Sequence, residues 1–108
     1  MTRPIRVYEP IFSAEVEVRY TRNAGQLAAY VETELQPTGA PLYVMYLTDH
    51  RDFYTLIHEC IHLVKRIFAD RGIPFNAEND EAIAYCQTWW VQTLWRACHK
   101  RAKKGRKW

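Results

Sequence analysis

One short stretch of this chain has the residue types and spacing of a metal site: His58-Glu59-Cys60-Ile61-His62. On a helix turning about 100° per residue, His58 and His62 fall about 40° apart around the axis and one turn apart along it. Two imidazoles so placed can share one cation, and Zn²⁺ takes nitrogen ligands at about 2.0–2.1 Å. Glu59 lies about 100° round from His58. It can stand beside the cation without binding it and take a proton from a water the metal has activated. Composition alone would give about 0.01 matches to this pattern in a chain of this make-up.

Catalytic zinc has three protein ligands and a water. Glu81 is the expected third. It opens the second long helix, and the break at Gly72-Ile73-Pro74 lets that helix fold back on the first. Glu78 and Asp80 compete with it, and an acid in a first helical turn is also favoured simply by the helix dipole. Tyr85, one turn beyond Glu81, and His50, two turns before His58, are candidate helpers around the site or at an oxyanion. Their plain alternatives are a core tyrosine and a loop histidine. A structural site would be closed by a fourth protein ligand, for which His50, His99 and Cys86 are the candidates.

The elements that must position these groups are read from periodicity. Ile5-Arg6-Val7-Tyr8 and residues 14–21 alternate with a period of two and read as paired strands. Residues 24–35 carry Leu27, Tyr30, Val31 and Leu35 at helical spacing and read as a short helix capped by Asn23. The breakers Pro37–Pro41 follow, and Leu42–Leu47 is a continuous apolar run that suits a buried strand. Residues 50–70 form the first long helix, with Thr48 or Asp49 as N-cap and an apolar stripe of Phe53, Ile57, Ile61, Val64 and Phe68 centred opposite Glu59. Residues 78–103 form the second, capped by Asn76 or Asn79. Trp89, Trp90 and Trp95 read as core and rim packing. The expected class is α+β: a small, mainly antiparallel sheet of about three strands packed on a helix layer.

The chain has 108 residues, 48% of them hydrophobic and 14% aromatic, which excludes a disordered protein and implies one domain. No apolar stretch approaches the roughly 20 residues of a membrane helix, and the N-terminus has no apolar signal-peptide core. Cys60, Cys86 and Cys98 are odd in number and lie in apolar helical contexts. They read as free thiols in a reducing cytosol. The formal charge of +3 divides unevenly. Residues 1–98 form an acidic body, and residues 99–108 form a basic tail with Lys100, Arg101, Lys103, Lys104, Arg106 and Lys107 and no acid. Such a run can contact phosphate backbones, or simply solubilise a frayed end.

The motif followed by Asn79-Asp80-Glu81-Ala82 resembles the gluzincin branch of the zincin metallopeptidases, although Asp80 separates the Asn from Glu81 where that group often has Asn-Glu-x-x-Ala. In length and element order the chain is similar to minimal zincins, including minigluzincins, ImmA/IrrE-type domains and small phage-encoded proteins. The likeness covers residues 42–95. It implies an active-site helix with His58, His62 and Glu59, a following glutamate helix with Glu81, a bound Zn²⁺, and a peptide or protein substrate. It also implies that Leu42–Leu47 is a cleft-edge strand that pairs with extended substrate, and that the protein works in the cytoplasm of a bacterial or phage-infected cell. The expected function is peptide-bond hydrolysis by metal-activated water. The alternatives are a catalytically silent zincin-like module with a stabilising metal, or nucleic-acid contact through the tail.

Overall fold

The computed structural model describes residues 4–21, 29–49 and 51–103, with side chains described for 4–21, 31–49 and 51–100. Four strands, β1 (Ile5–Glu9), β2 (Ala14–Tyr20), β3 (Ala29–Leu35) and β4 (Pro41–Leu47), precede two helices, α1 (Phe53–Asp70) and α2 (Asp80–Lys103). A short 3₁₀ turn, Ala77–Asn79, leads into α2. The class is α+β, as expected, with both helices against one face of the sheet.

The sheet has one strand more than expected. Its order is β1-β2-β4-β3, with β2 and β4 parallel and both outer pairs antiparallel. The expected helix over 24–35 is corrected here, because residues 29–35 are strand β3. Its local spacing fits a helix, but the cross-strand partners decide. Val31 pairs with Met45 in the core, and Glu32 and Glu34 point to the opposite face. There Tyr46 donates to Glu32 at 2.9 Å and Arg19 to Glu34 at 2.8 Å. The run Pro37–Pro41 therefore ends no helix. It makes the β3–β4 turn, with Gly39 at φ 87° and the Gln36 and Ala40 backbones paired across it.

The core lies between sheet and helices. Ala14, Val16 and Val18 of β2 and Tyr43, Met45 and Leu47 of β4 meet Leu56, Cys60, Leu63 and Ile67 of α1 and Cys86, Trp90, Leu94 and Cys98 of α2. All three cysteines are buried free thiols, and burial pushes Cys60 up to about 12 and Cys86 up to about 11. Trp90 is a core residue, Trp89 packs at its margin, and Trp95 lies at the rim against Phe53.

The helix ends are chemically defined. Asp52, not Thr48 or Asp49, is the N-cap of α1, and its carboxylate accepts from the Thr55 amide at 3.0 Å. Asp49 instead accepts from the Arg51 amide. At the other end Gly72 takes φ 68°, and the Gly72 and Ile73 amides reach the Ala69 and Phe68 carbonyls, a Schellman closure. Asn76 caps the entry to the second helical segment. The two helices touch along their length: Gln87 donates to the Ile57 carbonyl at 3.3 Å, and Trp95 meets Phe53.

Candidate metal centre

Helix α1 sets the geometry of the site. Its buried residues are Leu56, Glu59, Cys60, Leu63, Val64, Ile67 and Phe68. Relative to the expected stripe, this face is rotated by about 70°. Val64 and Phe68 are buried as expected, Ile57 and Ile61 are half-buried beside α2, and Phe53 is exposed. The cause is the sheet. β3 and β4 draw the Leu56–Cys60–Leu63–Ile67 line inward, and α2 covers the Ile57 flank.

This rotation changes the surroundings of the motif. Glu59 falls at the margin of the buried face and is 5% exposed. His58 and His62 stand on the outer side of the helix rather than at the core edge, with the His58 side chain 68% exposed. The helical spacing still brings the imidazoles together: Nε2 of His58 and Nε2 of His62 are 3.2 Å apart, their rings nearly perpendicular. An oxygen of Glu59 lies 3.9 Å from His58 Nε2. One atom from each of the three residues falls within 4.8 Å of the others, so His58, Glu59 and His62 could hold a metal ion.

The donor set and spacing fit zinc. Four ligands at about 2.0–2.1 Å in a tetrahedron stand about 3.3 Å from one another. The two histidine nitrogens already sit at that separation without any rearrangement of the helix. The Glu59 oxygen is farther out than one such edge, consistent with a carboxylate beside a cation.

Electrostatics mark Glu59 as well. Burial pushes its carboxyl above the ordinary value of 4.5, and the charges of His62 and His58 pull it partly back. A carboxylate moved toward neutrality is a better proton acceptor at physiological pH than an exposed one.

The other expected residues are placed differently. Glu81 lies exposed in the first turn of α2, about 180° from Trp90 at the centre of that helix's buried stripe, and it is not one of the three clustered residues. Glu78 and Asp80 lie beside it, also outside the cluster. The Tyr85 hydroxyl is directed at Glu9, 3.4 Å away at the end of β1, and so away from the histidines. Cys86 is in the core, and His99 stacks on Trp95. His50 lies outside the described residues, as do Lys104, Arg106 and Lys107 and the side chains of Arg101 and Lys103. Lys100 is exposed on α2.

The expected cleft-edge strand is corrected too. β4 is hydrogen-bonded on both sides and cannot accept another strand. Its Tyr43, Met45 and Leu47 face the core rather than a cleft. Among the described residues the sheet ends at β3, next to α1, where Arg66 donates to Thr33 at 3.4 Å. The apolar run alone does not reveal this, because the edges of β4 are covered by long-range pairing with β2 and β3.

Among the described residues no helix is long and apolar enough to cross a membrane. No protein-family model, curated protein or solved structure matches the chain.

Proposed function

We propose that this protein is a zinc-dependent hydrolase acting on a peptide bond. The observation that carries the proposal is the pair of exposed imidazole nitrogens 3.2 Å apart beside a buried carboxylate. His58 and His62 would hold the metal, and the third protein ligand would be a carboxylate. Glu81 enters on its residue type and its position at the head of the following helix. When bound, Zn²⁺ supplies Lewis acidity that polarises a carbonyl and lowers the pKa of water.

The chain's own residues do the rest. Glu59 accepts a proton at a carboxylate oxygen and returns it to the leaving amine, a role that its raised affinity for protons serves. Leu56 and Cys60 behind it hold the helix against the sheet, so that the carboxylate stays beside the histidines. An extended peptide would lie along β3, whose outer edge is open among the described residues and adjoins the Glu59 side of α1.

One observation favours a second reading. The Glu59 carboxylate lies within the clustered group, so it could itself ligate the metal in a catalytically silent module. Two variants separate the readings. Under the first, Glu59→Gln retains zinc and abolishes peptide hydrolysis, while Glu81→Gln weakens zinc. Under the second, Glu59→Gln releases zinc and Glu81→Gln does not.

A further inference from the structure

Four aromatic rings form a continuous row where the start of α1 meets the last turns of α2. Tyr54 contacts Phe53 edge-on with centroids 6.3 Å apart, and Phe53 contacts Trp95 edge-on at 4.9 Å. Trp95 is stacked with His99, with centroids 6.1 Å apart and planes 25° apart. Much of this row is open to solvent: Tyr54 is 84% exposed, Phe53 is 37% exposed, and His99 is exposed. A core packing role does not account for Tyr54, which is the most exposed large hydrophobic residue among those described.

The α2 end of the row is positive, whereas at the α1 end Asp52 caps the helix and Asp49 pairs with Arg51. Arg96 and Lys100 are exposed on the same end of α2. After Glu81 the sequence contains no acid at all, and Arg101, Lys103, Lys104, Arg106 and Lys107 follow. Partly exposed aromatic rings beside the cations of α2 match the chemistry of unpaired nucleotides. Bases stack on the rings, and phosphates meet the cations. Double-stranded nucleic acid would satisfy the charges but leave the rings unused. An acidic peptide would likewise use only the charges.

We propose that Tyr54, Phe53, Trp95 and His99, with Arg96 and Lys100, form a binding platform for single-stranded nucleic acid. The platform is independent of the metal reading, although Tyr54 precedes His58 by one helical turn. The test uses the full chain and a fluorescently labelled oligothymidylate of about fifteen nucleotides, a length suited to a small platform. Anisotropy is read against a duplex of the same length. The single strand binds more tightly than the duplex. Its affinity falls about sevenfold between about 50 and 200 mM salt, the dependence for about two phosphate contacts on a single strand. Tyr54→Ala weakens single-strand binding about tenfold, within the range for loss of one stacked base. Tyr54→Phe restores it, and neither change affects the duplex. Arg96→Glu with Lys100→Glu removes binding to both. His58→Ala leaves binding intact. No binding at the lowest salt, equal affinity for the duplex, or wild-type affinity in Tyr54→Ala would each overturn the proposal. Loss of binding in His58→Ala would also overturn it, by moving the contact to the histidines.

Discussion

Of the three buried carboxylates among the described residues, Glu17 and Glu59 live under opposite regimes. Glu17, on β2, is 7% exposed and is held between Arg6, 2.8 Å away, and Arg19, which also grips it directly. Glu59, on α1, is 5% exposed and has the two histidines as its neighbours. Burial raises both carboxyls. At Glu17 the hydrogen bonds and charges of the arginines outweigh burial and hold it below the ordinary value, whereas at Glu59 burial wins. The first is a neutralised structural acid inside a network that extends through Arg19 to Glu34 and Tyr46. The second is an acid whose charge has been left costly, in a place where a cation would relieve it. Glu17 is compensated within the fold, whereas Glu59 has only the two histidines as charged neighbours.

The sharpest way to break this comparison is to neutralise Glu59. If it is the proton acceptor, Glu59→Gln lowers kcat for peptide hydrolysis by about 10²–10⁴-fold, the range for general acid–base groups. Steady-state kinetics on a peptide library would detect this, and undiminished turnover would remove Glu59 from the chemistry. Metal comes next. Zinc at about 100 times its Kd should stabilise the wild type by about 2.7 kcal/mol, read as a rise in Tm, and His62→Ala should show no such rise. A smaller effect belongs to Glu17: Arg19→Met should cost about 2 kcal/mol in denaturant unfolding, because charge-assisted hydrogen bonds to Glu17 and Glu34 are lost together. The N-cap is smaller still, and Asp52→Ala should cost about 1 kcal/mol.

The two acids also respond to pH with opposite signs. The folded-state pKa of Glu17 is below its ordinary value of 4.5, so its contribution is present above about pH 4.5 and is lost as pH falls through the depressed value. The folded-state pKa of Glu59 is above 4.5, so in the metal-free protein folding loses stability as pH rises from about 4.5 through the raised value. At neutral pH Glu59→Gln should therefore raise the melting temperature of the metal-free protein, and Glu17→Gln should lower it. Calorimetry on the two variants checks both signs.

How much of this was legible in the sequence follows from the range of the forces involved. The histidine pair needed only one turn of helix, so its spacing was readable from residues 58–62. The β1 and β2 strands, the α1–α2 break and the free, buried thiols were readable for the same reason, being set by local alternation or by Gly72. What escaped was set at long range. β3 became a strand through partners on β4 and β2, with Arg19 and Tyr46 receiving Glu34 and Glu32. The facing of α1 was decided by where sheet and second helix press on it, which carried Glu59 from the expected outer side to the buried margin. Leu56, Leu63 and Ile67 are as apolar as Phe53, Ile57 and Ile61, so local apolarity alone does not fix which face turns inward.

We propose above that His58 and His62 together bind zinc. Isothermal titration of zinc into chelator-treated wild type, His58→Ala and His62→Ala tests it directly. One zinc per wild-type chain is expected, with loss of that binding in either variant while the circular dichroism spectrum is retained. Failure of folded wild type to bind zinc, or unchanged stoichiometry and affinity in both variants, would contradict it.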